Sequence, residues 1–364
     1  MPAINAGRLL SDLRTLRTFG AVPDHPRGII RPSFSPADME AREWLRGKFE
    51  EAGLEASIDK HGIVFGRSKN PGPALLLGSH SDSQPRGGWL DGNLGVIYAL
   101  EAARALAEDP ATAGLAVDIA SWTDEEGSYL GYFGSRSFLN YDLADQIEAA
   151  TGHPRVTPGN SLPEAIAAAG LENHPRTVAE KGRYLGFFEA HIEQGPHLEQ
   201  FGLNIGVVTD IVGSRGYTIL FKGEQNHAGT TPMALRRDAG MASLVFGARL
   251  DEEFRAIAGK RSVWTFGESK FEPGSRSIIP GSAELWLQFR DVELSNLEAF
   301  DATTRRVAAE VAAERGVEIE VGPGGTGVPK PMDPWLQEQV RDTASYRLLS
   351  VASDLHIAVM SKSK

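Results

Sequence analysis

Short apolar runs alternate with a helical pattern through the first half of this chain. The runs have the length of buried strands and lie at positions 62–66, 74–77, 115–122 and 185–190. Over positions 95–106, apolar side chains recur instead at helical spacing. Strands that alternate with helices are typical of a sheet covered by helices on both faces. We therefore predict an α/β domain built on a mixed, doubly wound sheet.

The clearest helix start in the sequence is Ser35-Pro36-x-Asp38. A serine cap, a proline at the first helical position and an acid that closes the capping box all favour a helix that begins there. Apolar residues follow at helical spacing, and Gly53 is expected to end the helix.

The pattern changes in the second half of the chain. Positions 150–182 are rich in loop-forming residues, and strands and helices of a different arrangement follow. The predicted strands are 207–212, 217–221, 262–270, 283–289 and 317–321, and the predicted helices are 235–256, 297–315 and 334–344. We predict that residues 210–325 form an inserted α+β unit, a lid and dimerisation domain. Residues 1–209 and 326–364 would form the catalytic, metal-binding domain.

Composition narrows the classes of function. Hydrophobic residues at 41% and charged residues at 23% are typical of a globular protein, and the net charge of −11 argues against a nucleic-acid partner. No apolar run is long enough to span a membrane, which predicts no membrane association. The sequence has no cysteine, so disulfides, thiolate metal sites and cysteine nucleophiles are excluded. We expect a cytoplasmic protein.

Metal-ligating residue types stand at the ends of three predicted strands. The first of these strands ends in His80 and Asp82, the second in Glu125 and Glu126, and the third in His191. In open α/β sheets, ligands bind outside the carboxyl ends of the strands. Adjacent strands with these endings would therefore bring imidazoles and carboxylates into one crevice.

This combination of residue types favours a site for two divalent ions. Imidazole with carboxylate suits zinc, manganese, cobalt or nickel better than magnesium or calcium. Asp91, which precedes the 95–106 helix, could bridge two ions about 3.5–4 Å apart. In the Glu125-Glu126 pair one carboxylate could bind metal while the other acts as a general base. Asp82 is placed to fix the tautomer of His80.

Each of these features has an ordinary interpretation when it stands alone. A His-x-Asp sequence is more often a capped turn, Glu125-Glu126 could be a solvated surface pair, and Asp91-Gly92 could be a simple turn. Only the histidines that follow a buried strand with acidic neighbours are predicted as ligands. The histidines predicted not to be ligands are His25, His61, His153, His174 and His197.

Four segments that occur in order carry a family resemblance. They are GSHSDSQPRGGWLDGNLGV, TDEEG followed by GSRSF, HIEQGPHLE, and NHAGTTPMALRRDA. Together they resemble the allantoate amidohydrolase / N-carbamoyl-L-amino-acid hydrolase family, part of a clan of dinuclear metal aminoacylases and carboxypeptidases. The resemblance runs from about residue 4 to about residue 358. It implies a hydrolase that cleaves non-peptide C–N bonds of small ureido, N-carbamoyl or allantoate-like substrates.

The resemblance also implies roles for individual residues. His80, Asp91 and His191 would hold one metal ion, and Asp91 would bridge to a second ion held by Glu126 and a histidine near the C-terminus. Glu125 would be the general base, taking a proton from water and giving one to the leaving nitrogen.

Further implied roles concern the substrate and a dimer partner. His227 would reach the developing oxyanion of the substrate from the partner subunit of a homodimer, and Gln194 would contact the substrate. Arg290 would bind a substrate carboxylate through its guanidinium fork. Without the resemblance, Arg290 would be interpreted as a surface arginine at a strand end.

The sequence departs from the family pattern at two places. Ser277 stands thirteen residues before Arg290, where the family usually has an asparagine that shares the substrate carboxylate. A hydroxyl offers one donor where an amide offers two, so a different substrate is possible here.

Near the C-terminus the family has a metal-binding histidine followed by aspartate, whereas this chain has His356 followed by Ile357. The final strand and helix of the catalytic domain are expected to be missing.

Three hypotheses follow. The first is the amidohydrolase. The second is a dipeptidase or aminoacylase of the same clan, which HIEQGP at 191–196 disfavours because those branches more often have a carboxylate ligand there. The third is a truncated homologue with impaired catalysis.

Overall fold

The structure is a computed structural model that describes residues 2–153, 156–157, 159–325, 327–343 and 357–360. Its helices are α1 Ala6–Thr18, α2 Pro36–Glu51, α3 Asn93–Glu108, α4 Phe133–Phe138, α5 Ala144–Ala149, α6 Leu162–Ala168, α7 His197–Phe201, α8 Ala239–Ile257, α9 Leu294–Arg315 and α10 Pro334–Thr343. Its strands are β1 Gly28–Ile29, β2 Glu55–Ile58, β3 Val64–Arg67, β4 Ala74–His80, β5 Gly87–Gly88, β6 Ala116–Trp122, β7 Tyr184–Ala190, β8 Asp210–Ile211, β9 Gly213–Lys222, β10 Asn226–His227, β11 Val263–Glu272, β12 Ile278–Ile279, β13 Ser282–Asp291, β14 Glu318–Val321, β15 Lys330–Pro331 and β16 Ile357–Met360. A 3₁₀ turn spans Met233–Leu235.

The chain divides into two compact units. The first comprises Met1–Val208 and Met332–Lys364, and the second comprises Thr209–Pro331. The segment predicted as an insertion, 210–325, falls within the second unit. Its predicted role as a lid and dimerisation domain stays a prediction.

The first unit is built on a six-stranded sheet in the order β16-β7-β4-β6-β3-β2. The three strands β7, β4 and β6 run parallel, and β2, β3 and β16 join as antiparallel neighbours. Every residue of β6 is buried, as expected for a strand covered on both faces. The predicted mixed α/β sheet is confirmed, and the three strands with metal-ligating ends are indeed neighbours.

Helix α2 begins where its capping signal predicts. The Ser35 side chain accepts a hydrogen bond from the Asp38 backbone N–H at 3.2 Å. The Asp38 carboxylate accepts from the backbone N–H of Phe34, one residue before the cap, at 2.8 Å, and it also pairs with the buried Arg42 at 2.7 Å. The capping aspartate therefore ties the helix start to the interior of the unit.

Two expectations about local structure need correction. The loop-rich region 150–182 contains α6, whose Ser161 and Glu164 form a reciprocal capping box around Pro163. The same signal that identified α2 was therefore present there too. The predicted strand 207–212 contracts to β8, a two-residue strand paired with β15, because the chain turns into β9 at Gly213.

The second unit packs two helices on a four-stranded antiparallel sheet in the order β11-β13-β9-β14. Buried and exposed side chains alternate along β13, as a strand with one covered face requires. Its core joins that face to α8 and α9 through fully buried aromatic side chains, namely Phe221, Phe246, Phe254, Phe289 and Phe300. No helix among the described residues of either unit is long and apolar enough to cross a membrane.

Candidate metal centre

The carboxyl ends of the parallel strands bring the predicted ligands together. His80 is the last residue of β4, and His191 directly follows β7. One ligand atom each from His80, Asp91 and His191 lies within 4.8 Å of the other two. His80, Glu125 and Glu126 form a second such group. His80 therefore belongs to both groups, which join into one cluster.

A tight turn presents Asp91 to this cluster. Gly92 follows it with φ of +64°, and a Cβ there would lie 2.5 Å from the His80 ring. Gly95 allows the start of α3 to approach the sheet, since a Cβ at this position would lie 2.2 Å from the Ala190 carbonyl oxygen. The Asp91-Gly92 pair is therefore a turn, as its simple interpretation suggested, and this turn also places the Asp91 carboxylate beside the two histidines.

The two histidines turn the same ring nitrogen toward Asp91. His80 Nδ1 lies 3.1 Å from the Asp82 backbone carbonyl, and His191 Nδ1 lies 2.9 Å from the Ile192 carbonyl. A proton on each Nδ1 leaves each Nε2 as a lone-pair donor, and these atoms lie 4.0 and 3.1 Å from Asp91 Oδ1.

The same aspartate oxygen lacks a well-oriented hydrogen bond. Asp91 Oδ1 is buried without a hydrogen-bond partner in the described part of the chain, whereas Oδ2 accepts from Gln194 Nε2 at 2.8 Å. Two imidazole lone pairs and an unused carboxylate oxygen thus converge, and this donor set fits zinc, manganese, cobalt or nickel.

The loop after β6 carries the acidic pair. Asp124 has φ of +53°, and its buried carboxylate accepts hydrogen bonds from the backbone N–H groups of residues 128, 129 and 130 at 2.6, 3.0 and 2.6 Å. The loop is thereby curled around Asp124. Gln84 Nε2 donates to Glu126 Oε2 at 3.0 Å, and Glu125 Oε2 lies 3.7 Å from His80 Nε2.

Burial and mutual charge set the protonation of the cluster. Burial raises the pKa of Glu125 to about 7 and also raises the pKa of Glu126. Burial favours neutral His80, but the carboxylates of Asp82 and Glu125 outweigh it, so the pKa of His80 lies well above its ordinary value. Burial also opposes ionisation of Asp91, but His191 and His80 together hold its pKa below the ordinary range. This concentration of negative charge around two imidazoles favours a divalent cation.

Asp82 contributes differently from the expectation that its side chain fixes the His80 tautomer. The atom hydrogen-bonded to His80 Nδ1 is the backbone carbonyl of Asp82, and Oδ1 of the carboxylate lies 3.6 Å away. The other carboxylate oxygen accepts from the Glu126 backbone N–H at 3.1 Å. Asp82 therefore joins the His80 turn to the acidic loop.

The remaining predicted site residues lie in the second unit or outside the described residues. His227, in β10, is exposed and pairs with Ile278 of β12, and the Ala228 N–H donates to the Ser277 carbonyl at 2.9 Å. His227 and Ser277 are therefore brought onto one short antiparallel ladder. Arg290 is exposed near the end of β13 and donates from Nε to Gln288 Oε1 at 3.2 Å. His356 lies outside the described residues.

Sequence reasoning missed two acids beside the cluster. Asp124 stands in the TDEEG segment, and its role in curling the loop has no sequence signal besides its position after a buried strand. Glu189, on β7, accepts a hydrogen bond from Ser79 Oγ at 2.6 Å, and burial raises its pKa. An acid in an apolar run, two residues before the predicted ligand His191, was the available signal.

The family comparison agrees with this site. Residues 76–354 match the model of the peptidase family M20/M25/M40. The chain belongs to this family. The matched segment contains His80, Asp91, Glu125, Glu126 and His191. M20 proteins are metal-dependent, which agrees with the donor set found at the carboxyl ends of the strands.

Named relatives of this M20 chain are amidohydrolases. An N-carbamoyl-L-amino-acid amidohydrolase from Paenarthrobacter aurescens is 32% identical over 93% of this chain and 82% of its own length. The allantoate amidohydrolase of Escherichia coli is 31% identical over 92% of this chain and 82% of its own. A crystal structure of an amidase of the hydantoinase/carbamoylase family from Burkholderia phymatum is 45% identical, with a TM-score of 0.87, covering 98% of this chain and 88% of that one. The predicted family resemblance is confirmed.

Proposed function

We propose that this chain is a metal-dependent amidohydrolase that cleaves a linear C–N bond of a small ureido, N-carbamoyl or allantoate-like substrate. The observation that carries the proposal is the convergence of His80, Asp91 and His191 beside the Glu125-Glu126 pair. The amidohydrolase names of the relatives support the type of bond.

The ligand set divides into two parts around Asp91. His80, Asp91 and His191 would hold one ion, and Asp91 with Glu126 would hold a second, with His356 as the proposed further ligand. Divalent ions in such a site polarise the substrate carbonyl or amidine and make a water more acidic. The number and identity of the ions belong to this proposal.

Glu125 is proposed as the group that moves the proton. Its pKa, raised by burial to about 7, lets it both accept a proton from water and return one to the leaving nitrogen near neutral pH. Its carboxylate lies next to the ligand cluster, 3.7 Å from His80 Nε2. Gln194, which donates to Asp91, is proposed to contact the substrate as well.

The second unit is proposed to complete the site as a lid in a homodimer. His227 would donate to the oxyanion from the partner subunit, while Arg290 and Ser277 would bind the substrate carboxylate. The exposure of both His227 and Arg290 leaves these side chains accessible for such contacts. The cytoplasmic location stays a prediction.

Metal content and product identity test the function together. The purified chain is analysed by plasma mass spectrometry, and ammonia release is measured with N-carbamoyl-amino acids and allantoate. We expect two ions per subunit and ammonia release. Turnover of dipeptides or N-acyl-amino acids alone would favour the dipeptidase or aminoacylase of the same family, and a chain with neither bound ions nor turnover would contradict the enzyme proposal.

Mixing two inactive variants tests the role of His227 in a dimer. Glu125→Gln and His227→Ala impair different residues of one site. If His227 acts across the dimer, subunit exchange makes mixed dimers with one intact site, and the mixture should regain about a quarter of wild-type activity. A mixture that stays inactive after verified exchange would contradict the action in trans.

A further inference from the structure

Arg31 is a fully buried arginine whose hydrogen-bond partners are uncharged. Its exposed fraction is 0%. Its guanidinium donates to the backbone carbonyls of Leu16 and Phe19 at 2.7 and 3.1 Å. It also donates to the Ser81 carbonyl at 2.6 Å and to the side-chain oxygen of Asn93. A guanidinium buried among neutral acceptors carries a desolvation cost, so its position calls for an explanation.

One contact of Arg31 holds the turn that contains His80. The Ser81 carbonyl lies between His80 and Asp82, and Arg31 Nε donates to it. Two further hydrogen bonds join Arg31 to the same turn. The Arg31 backbone N–H donates to Ser83 Oγ at 3.0 Å, and the Ser83 backbone N–H donates to the Arg31 carbonyl at 3.0 Å. The chain on both sides of Asp82 is therefore attached to Arg31.

Another contact of Arg31 holds the turn that contains Asp91. Asn93 accepts from Arg31 through its side-chain oxygen, which orients its amide nitrogen. That nitrogen donates to the backbone carbonyls of Trp89 and Asp91 at 3.2 and 3.1 Å. Arg31 thus supports the Asp91 turn through one intermediate side chain.

We propose that Arg31 is a positioning residue that fixes the separation of the His80 and Asp91 ligands. Within the described part of the chain its guanidinium donates to the Leu16, Phe19 and Ser81 carbonyls and to Asn93, and not to the side chain of either proposed ligand. It connects the two turns that carry them and anchors both to the end of α1. Only the fork of a guanidinium reaches acceptors on three separate segments in these directions, and a lysine ammonium at the same position would satisfy fewer of them. The inference rests on the proposed metal site.

Arg183 provides a matched control in the same unit. It is also buried, at 8% exposure, and its Nε and Nη2 donate to the buried Asp118 at 2.7 and 2.8 Å. It precedes β7, whereas His191 follows that strand, so it lies at the opposite end of the sheet from the ligand cluster. Arg183→Lys therefore makes the same chemical change away from the proposed ligands.

The test is a Co²⁺ titration of the full chain followed by visible absorbance, together with denaturant unfolding of the metal-free protein. We expect Arg31→Lys to weaken Co²⁺ binding by about 10- to 100-fold, the usual effect of losing a group that supports a ligand. The visible spectrum should change as well, because the ligands are less well fixed. Arg183→Lys should lower stability and leave Co²⁺ affinity and spectrum unchanged.

A double-variant measurement distinguishes a positioning role of Arg31 from a purely structural one. If Arg31 acts through Asn93, then Arg31→Lys and Asn93→Ala should be non-additive in their effect on Co²⁺ affinity. Unchanged Co²⁺ affinity and spectrum in Arg31→Lys, with tight binding by the wild type, would overturn this inference alone. A wild-type chain that binds no Co²⁺ would overturn the proposed metal function itself.

Discussion

Buried aspartates lie at both ends of the central parallel strands, but their hydrogen bonding differs between the two ends. At the amino end, the Asp118 carboxylate accepts hydrogen bonds from Arg183, from the Tyr184 hydroxyl at 3.0 Å and from the Ser68 backbone N–H at 2.8 Å. At the carboxyl end, Asp91 and Asp82 each keep one buried oxygen without a hydrogen bond in the described part of the chain. Removing one partner of a buried acid–arginine pair destabilises the fold, whereas acids placed around imidazoles are available to a cation.

The largest expected effect is on turnover, when Glu125, the proposed general base, is replaced. Glu125→Gln keeps the shape of the side chain and removes its ability to accept a proton. We expect kcat to fall by about three orders of magnitude or more, near the usual upper contribution of general acid–base catalysis. Metal content should stay the same as in the wild type. Ammonia release and plasma mass spectrometry on one preparation measure both quantities.

The exposed Glu148→Gln variant controls for the loss of a carboxylate as such. Wild-type turnover is expected there. Turnover by Glu125→Gln within tenfold of the wild type would remove Glu125 from its proposed role.

Asp91→Asn tests whether the acid at the carboxyl end of the sheet serves metal binding. The change preserves size and removes the charge that faces both histidines, so we expect Co²⁺ affinity to fall by at least about 100-fold. Some stability of the metal-free protein should also be lost, because His191 and His80 hold the pKa of this carboxyl below its ordinary range. Titration and denaturant unfolding provide the two measurements. A large loss of metal-free stability with unaltered affinity would mean that Asp91 is a structural acid.

Asp118→Asn makes the same substitution at the amino end and should give the opposite result. The neutral amide leaves the buried Arg183 without a charged partner, which costs about 3–5 kcal/mol in typical buried pairs. Co²⁺ affinity should stay at the wild-type value. Stability unaffected by this change would contradict the distinction drawn between the two ends of the sheet.

The smallest expected effect concerns His61, a histidine that was predicted not to bind metal. Its Nδ1 lies 2.7 Å from Ser137 Oγ and its ring packs against Phe133, with burial lowering its pKa to about 4. The unfolded chain binds a proton near pH 6.5 and the folded chain does not, so this histidine makes stability fall as pH drops from about 6.5 towards 4.

His61→Gln removes that contribution. We expect the wild type to lose about 2 kcal/mol more than the variant between pH 7 and pH 5, measured by denaturant unfolding. The comparison between the two proteins is needed because burial raises the pKa of Asp59 and of Asp124 to about 6, which favours the folded state as pH falls. Equal pH slopes in the two proteins would show that His61 titrates normally.

Sequence patterns predicted much of the fold for identifiable reasons. Apolar runs predicted β4, β6 and β7 because these central strands are rich in apolar residues, and β6 is buried along its whole length. Ser35-Pro36-x-Asp38 predicted α2 because its caps are made locally. Helix α6 shows the limit of this approach, since the loop-forming residues around this short helix obscured a valid capping box. The predicted strand at 207–212 contracted because an apolar run does not reveal whether a partner strand lies beside it.

The sequence by itself determined which residue types stand at the strand ends, because strand endings and turns follow from local patterns. The family resemblance then supplied their expected roles. Only the tertiary structure decided how these side chains are oriented. The orientation of His80 depends on the Asp82 carbonyl, and the Asp91 turn depends on Asn93 and Arg31. The two contacts of Arg31 with Ser81 and Asn93 join residues 50 and 62 positions apart, and no local pattern encodes a hydrogen bond that forms only after the sheet has assembled.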